Sequence, residues 1–139
     1  MVSANQESNT KPMNSPALSS KLNEKFIMVV DDEQDILLLF DDYLRSKGFT
    51  VKTFQNPIEA LTEFQFAHSS CSLIISDIRM PQMSGLQFIE RIGRIDKDVQ
   101  VIFMTAFDIE KQKINKKNMS EMLKKPIRLE DLLTAVNRV

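Results

Sequence analysis

The sequence predicts an α/β protein built on a doubly wound, five-stranded parallel sheet with the strand order 2-1-3-4-5. Short apolar runs alternate with amphipathic segments along the chain, the pattern of β-strands joined by crossover helices. The central run, 71–77, is rich in Ile and Leu and ends on a carboxylate, Asp77. A run this short and this apolar is typical of a parallel strand buried on both faces.

The other elements follow from local patterns. Strands are predicted over 26–30, 49–54, 71–77, 99–104 and 122–124. The helix that precedes Gly48 has an apolar stripe that includes Leu39, and this glycine is well suited to end it. Asn56 followed by Pro57 begins the next helix, and a capping box begins the third at Ser84. A weakly amphipathic, Lys-rich helix is expected over 108–117, and a final amphipathic helix from 129 onward.

Composition fits one domain with a single core: 139 residues, 42% hydrophobic and 27% charged. Residues 1–24 lack apolar periodicity, so we expect a disordered tail before a domain over 25–139.

A net charge of -1 favours neither direct nucleic-acid binding nor an anionic membrane. No apolar run approaches the ~20 residues of a membrane span. The lone Cys71 indicates a buried thiol in a reducing compartment, and we expect a cytoplasmic protein.

Four predicted strands end on polar side chains: Asp31 with Asp32, then Asp77, Thr105 and Lys125. Parallel strands present their carboxyl ends at one edge of a sheet, so we expect these residues to share a crevice. Three crowded carboxylates repel one another, and a hard divalent cation such as Mg²⁺ relieves that repulsion. With a lysine and a hydroxyl added, the set suits phosphoryl transfer, with Asp77 as the nucleophile. Each residue alone has a plain structural explanation; their joint placement points to function.

Four motifs support a family resemblance: FIMVVDDEQDI at 26–36, LIISDIRMPQMSGL at 73–86, VIFMTAF at 101–107 and LKKPI at 123–127. Together they resemble the receiver domain of two-component response regulators, the chemotaxis-regulator-like fold. The resemblance covers roughly residue 25 to the last residue. Because the predicted last helix reaches the end of the chain, we expect a stand-alone receiver. Its output would then be protein–protein contact with a downstream partner or onward relay of the phosphoryl group.

The resemblance assigns the acidic residues their roles. It implies that Asp77 accepts a phosphoryl group from the phosphohistidine of a sensor histidine kinase or a histidine phosphotransfer protein. It implies that Asp32 binds Mg²⁺ directly and Asp31 through water. Asp77 and the backbone carbonyl of Arg79 would be further ligands of the ion.

The remaining motif residues would handle the phosphoryl group. The resemblance implies that Lys125 contacts a phosphoryl oxygen and that its bond to Pro126 is cis. It implies that Thr105 hydrogen-bonds the phosphoryl group and shifts toward it on activation. Receivers often change their self-association on phosphorylation, so phosphorylation-dependent dimerisation is one outcome to test.

Three departures from the family pattern stand out. The usual Gly-Ala before the last strand is Asn118-Met119, and Asn tolerates the same backbone conformation. The switch position three before Lys125, usually Tyr or Phe, is Met122, whose thioether can fill the same pocket. The stretch from Thr105 to Lys125 is also slightly short, so its helix is expected to be truncated.

These departures lead to one hypothesis, and the resemblance leads to a second. Output would depend on contact between an acidic partner and a lysine group made of Lys111, Lys113, Lys116 and Lys117, unless that group is only a solvated face. The resemblance implies that Arg79 and Phe107 flank the site, at positions that tune hydrolysis of the acyl phosphate in the family. Bulky Phe107 would hinder the attacking water and lengthen the phosphorylated state.

Two other functions compete with the phosphorylated switch. One is a degenerate receiver that acts as a constitutive binding module. The other is a Mg²⁺-dependent phosphatase using an aspartyl phosphate, although Arg79 stands where such enzymes carry a second acid. His68 has no second His or Cys nearby and is interpreted as a surface or loop residue. Asp41-Asp42, in mid-helix, is interpreted as a solvated face.

Overall fold

A computed structural model describes residues 24–106 and 119–139 of the chain. Its elements, in order, are β1 (Phe26–Val30), α1 (Gln34–Ser46), β2 (Val51–Phe54), α2 (Pro57–Ala67), β3 (Cys71–Asp77), α3 (Gly85–Ile95), β4 (Gln100–Thr105), β5 (Met119–Lys124) and α4 (Leu129–Arg138). The five strands form one parallel sheet in the order β2-β1-β3-β4-β5, which confirms the predicted fold class.

Both faces of the sheet are covered by helices, and β1 shows why its sequence is apolar throughout. Phe26, Met28 and Val30 pack in one cluster with residues of α2 and α3. Ile27 and Val29 point to the other face and pack with residues of α1 and α4. None of the five exceeds 3% exposure. Because successive side chains of a strand alternate between faces, a strand covered on both sides requires an unbroken apolar run.

The helices begin where the sequence predicts. The Asn56 side chain accepts a hydrogen bond from the backbone N–H of Ile58 at 2.8 Å, and Pro57 is the first helical residue of α2. At α3 the Ser84 hydroxyl accepts from the Gln87 N–H, and the Gln87 side chain accepts from the Ser84 N–H. These bonds satisfy N–H groups that the first turn of a helix leaves without partners.

The predicted start of the second strand was wrong by two residues. The strand begins at Val51, where pairing with Ile27 starts, and not at Phe49. The backbone N–H of Phe49 instead donates to the Leu44 carbonyl at 3.1 Å and closes the end of α1. Gly48, with φ +95°, makes that return possible because it lacks a Cβ.

The fifth strand is longer than predicted, and the fourth is displaced by one residue. β5 extends over six residues from Met119, where 122–124 was expected, and β4 spans Gln100–Thr105 instead of 99–104. Pairing of Met119 with Val101 accounts for the extension, across an irregularity between Val101 and Ile102. Tertiary pairing therefore set these boundaries, not the local apolar pattern.

One residue of the predicted apolar stripe does not face the core. α1 buries Leu37, Phe40 and Leu44, whereas Leu39 is 48% exposed. Leu37, Phe40 and Leu44 follow a spacing of three and four residues and form one narrow stripe. Cys71 is a buried free thiol, as expected, and burial raises its pKa to about 12.

Several predictions concern residues outside the described ranges. They are most of the N-terminal tail, the helix over 108–117, Phe107, Asn118 and the lysine group. Among the helices within 24–106 and 119–139, none combines the length and the apolar character needed to cross a membrane.

Candidate functional site

The carboxyl ends of β1 and β3 bring three aspartates together. One carboxylate oxygen from each of Asp31, Asp32 and Asp77 lies within 4.8 Å of the others. Asp31 and Asp77 are buried, whereas Asp32 is exposed. β3 lies between β1 and β4 in the sheet, so Asp77 sits at the centre of this edge. Residues far apart in the chain meet here because all the strands run the same way.

Lys125 reaches this aspartate cluster from the end of β5. Its ammonium donates to Asp31 Oδ2 at 2.9 Å and to Asp77 Oδ2 at 3.2 Å. Its backbone N–H donates to the Thr105 carbonyl at 2.7 Å, which attaches the residue to the end of β4. The Lys125–Pro126 bond is cis, as the family resemblance implied. Three strand ends thus determine where the positive charge lies.

The pKa values of Asp31 and Lys125 reflect burial opposed by hydrogen bonds and neighbouring charges. Burial raises the pKa of Asp31, as does the neighbouring Asp77, although hydrogen bonds from the Glu33 N–H and from Lys125 act against it. Burial acts to lower the pKa of Lys125. Its hydrogen bond to Asp31 and the charges of Asp31 and Asp77 outweigh burial, so that pKa is raised. Lys125 therefore stays protonated and remains a cation throughout the neutral range.

The loop after β3 packs tightly against the backbone of Asp77. Gly85 donates its N–H to the Ile78 carbonyl at 2.6 Å. A Cβ on Gly85 would clash with the backbone oxygen of Asp77 and would lie 2.8 Å from the Ile78 Cα. The Ser76 hydroxyl donates to that same Asp77 oxygen at 2.9 Å, and the Arg79 N–H approaches Asp77 Oδ1 at 3.4 Å. Only glycine allows α3 to begin this close to the end of β3.

Thr105 and Met122 lie on the β4–β5 side of the site. Thr105 is buried and follows Met104, the residue that pairs with Asp77 in the sheet. Met122 is half-buried and packs against the cluster that contains α2 and α3. This packing shows that the thioether is placed against the core; whether it acts as a switch stays a prediction.

Other polar residues singled out in the sequence lie elsewhere. His68 lies in a 3-10 turn just before β3, with Nδ1 3.1 Å from Asp96 Oδ2. Because both residues precede strands, they lie toward the opposite edge of the sheet from Asp77. In mid-α1, Asp41 pairs with Arg45 at 2.7 Å.

Glu33 is a site residue that sequence reasoning missed. From the sequence, Glu33 is only an acidic residue at the start of a helix, where it suits the positive end of the helix dipole. In the structure it is the N-cap of α1, makes no side-chain capping bond, and accepts from the Lys125 ammonium at 3.2 Å. Its position directly after the acidic pair of a strand end was the available indication.

The donor set suits a hard divalent cation. Three carboxylates, those of Asp31, Glu33 and Asp77, contact the Lys125 ammonium, and Asp32 adds a fourth carboxylate to the cluster, so these acidic groups outnumber the ammonium. Mg²⁺ prefers a few carboxylate oxygens plus water and phosphate oxygens over a full protein cage. The aspartate cluster, with an exposed member at its mouth, matches that preference.

Comparisons with known proteins agree on one family. The family model described as "Response regulator receiver domain" matches residues 27–137. The response regulator protein TmoT of Ectopseudomonas mendocina is 32% identical over 115 residues, 81% of this chain and 51% of that protein. The sensor histidine kinase RcsC of Escherichia coli K12 is 30% identical over 131 residues, 93% of this chain and 14% of that protein. The chain therefore spans about half or less of these relatives.

Solved structures give the same result. The chemotaxis protein CheY4 of Vibrio cholerae superposes with a TM-score of 0.75 at 28% identity, covering 84% of this chain and 98% of that one. The response regulator TrrA of Thermotoga maritima, in complex with Mg²⁺-BeF, has a TM-score of 0.72 at 32% identity. That match covers 82% of this chain and 97% of the TrrA chain.

Proposed function

The chain belongs to the response regulator receiver family, and we propose that Asp77 is its phosphoryl acceptor. Receiver domains signal by phosphorylation in two-component systems. The observation that carries the assignment is the placement of Asp77 on the central strand. Its carboxylate lies 3.2 Å from the Lys125 ammonium and shares a cluster with Asp31 and Asp32.

The proposed reaction is an in-line displacement. A carboxylate oxygen of Asp77 attacks the phosphorus of a phosphohistidine, the O–P bond forms as the P–N bond breaks, and the imidazole nitrogen keeps the electron pair. The protein contributes mainly position and charge neutralisation. Lys125, held protonated, contacts one phosphoryl oxygen, and the Thr105 hydroxyl donates to another.

The aspartate cluster would hold Mg²⁺ for this step. Asp32 and Asp77 would supply carboxylate oxygens directly, Asp31 would contribute through water, and the backbone carbonyl of Arg79 would be a further ligand. When bound, the ion neutralises charge that develops on the phosphoryl oxygens. The Mg²⁺-BeF complex of TrrA, a protein 32% identical to this chain, supports this proposal.

We propose that the phosphodonor is a sensor histidine kinase or a histidine phosphotransfer protein. Phosphorylation would then change contacts with a downstream protein or with a second copy of the chain, or the phosphoryl group would pass onward in a relay. Sedimentation of the chain with and without the phosphoryl group tests the dimer. The cytoplasmic location expected from the sequence stays a prediction.

Intact-protein mass spectrometry after incubation with acetyl phosphate tests the proposal directly. The native chain with Mg²⁺ should gain one phosphoryl group, and chelator should prevent the gain. Asp77→Asn should gain none. Asp42→Asn, which removes the same charge from an exposed position in mid-α1, should behave as the native chain.

The other outcomes separate the alternatives. No adduct under any condition would overturn the acceptor assignment and favour the constitutive binding module. Repeated turnover of a small phosphate ester, in place of stoichiometric labelling, would favour the phosphatase.

A further inference from the structure

Lys125 contacts three carboxylates, and they differ sharply in exposure. Asp31 is 0% exposed and Asp77 10%, whereas the Glu33 side chain is 62% exposed. The distances from the Lys125 ammonium are 2.9 Å to Asp31 and 3.2 Å to each of the other two. A lysine ammonium has three N–H donors. Each of them therefore has a carboxylate partner.

The local backbone explains why Glu33 lies at this point. Glu33 is the N-cap of α1 in an extended conformation, and its N–H donates to Asp31 Oδ1 at 2.9 Å. An N-cap side chain usually accepts hydrogen bonds from the first turn of its own helix. That of Glu33 does not, and it reaches instead to a residue 92 positions away.

A phosphoryl group on Asp77 must displace one of these partners to contact Lys125. The Asp31 carboxylate would lose a partner in a buried place, which costs free energy, and Asp77 is itself the acceptor. The Glu33 carboxylate would return to water. It is therefore the partner whose removal costs least.

We propose that Glu33 is a positioning residue that occupies the third donor of Lys125 in the unphosphorylated chain and yields it to the phosphoryl group. This inference rests on the proposed function. Glu33 competes with the phosphoryl oxygens, so removing its contact strengthens their binding. Glu33 thereby sets how readily the site accepts and retains a phosphoryl group.

The test measures the affinity for beryllofluoride, a phosphoryl mimic, at saturating Mg²⁺ and one pH. Glu33→Gln should bind it more tightly than the native chain by about 1.5- to five-fold, the range of one exposed ion pair. Asp35→Asn is the matched control, because it removes an exposed acid from the first turn of the same helix. It should change affinity less than Glu33→Gln does.

Glu33→Asp separates contact from charge. It keeps the carboxylate but shortens the side chain by one methylene, so it should resemble Glu33→Gln if the contact matters. Affinity equal to that of the native chain in both Glu33 variants, or an equal gain in Asp35→Asn, would overturn the inference while leaving the acceptor assignment intact. Failure of the native chain to bind beryllofluoride would overturn the assignment itself, and the inference with it.

Discussion

Lys125 and Asp31 lie 94 residues apart in the sequence and form an ion pair of 2.9 Å in which the carboxylate is fully buried. The pair joins the end of β5 to the end of β1, on opposite sides of β3 and β4 in the sheet. The ion pair therefore also links β1 to β5 at the carboxyl ends of the strands.

Lys125→Met should lower the free energy of unfolding by about 3 kcal/mol in metal-free buffer, because a buried carboxylate loses its charge partner. Urea unfolding measures the loss. The double variant Asp31→Asn/Lys125→Met should be more stable than Lys125→Met alone, since it carries no unpaired buried charge. A double variant that is no better than the single one would show that the pair does not determine stability here.

Mg²⁺ should stabilise the native chain by linkage. At a Mg²⁺ concentration about a hundredfold above Kd, the free energy of unfolding rises by about 2.7 kcal/mol, and thermal unfolding reports this as a rise in Tm. Asp32→Asn should lose most of this increment, because it removes the exposed member of the aspartate cluster. Asp42→Asn should keep it. Equal increments in both variants would place the bound ion elsewhere.

Gly85→Ala should destabilise the fold by about 1–3 kcal/mol, because the added Cβ meets backbone atoms that have no room to yield. Gly93→Ala is a matched control within the same helix. Nothing lies within 4 Å of its Cβ, so helix propensity should make this variant more stable by about 0.5–1 kcal/mol. Urea unfolding of both variants compares the two effects, and a harmless Gly85→Ala would contradict the close approach.

Asp96 should contribute stability that depends on pH. The Asp98 N–H, and then His68, hold the pKa of Asp96 below its ordinary value of 3.8. Stability from such a group is present above the unfolded-state pKa and is lost as the pH falls through the lower folded-state pKa. Asp96→Asn should therefore cost about 0.5–1 kcal/mol at neutral pH.

The deficit of Asp96→Asn should shrink as the pH falls through the folded-state pKa of Asp96, which lies below 3.8, and should vanish where both states bind the proton. Urea titrations of the two proteins across this range measure it. A deficit that is constant with pH would mean that the Asp96 charge contributes nothing.

Much of the fold was predictable because its determinants are local. A strand covered on both faces needs an unbroken apolar run, and Cys71–Asp77 has one. Asn56 and Ser84 cap their helices through bonds to residues two or three positions away, which any reader of the sequence can locate. The gathering of Asp31, Asp32, Asp77, Thr105 and Lys125 at one sheet edge follows from parallel strands and needs no side-chain geometry.

The errors arose where distant pairing decides. Phe49 has the composition of a strand residue, but its N–H closes α1. β5 begins three residues earlier than predicted because its first residues pair with β4. Leu39 is exposed because the buried stripe of α1 is narrower than the apolar pattern of the sequence. Glu33 lies directly after the acidic pair, but its contact with a lysine 92 residues away depends on how β5 packs in the sheet.

The sequence by itself determined the class of fold, the strand that carries Asp77 and the five polar residues that end neighbouring strands. These features depend on hydrophobic periodicity, helix capping and strand direction, which patterns among residues close together in the sequence indicate. Only the tertiary structure decided that Lys125 has three carboxylate partners and that α3 starts against the Asp77 backbone. Those relationships depend on distances between elements, which packing sets to within a fraction of an ångström and which sequence spacing does not encode.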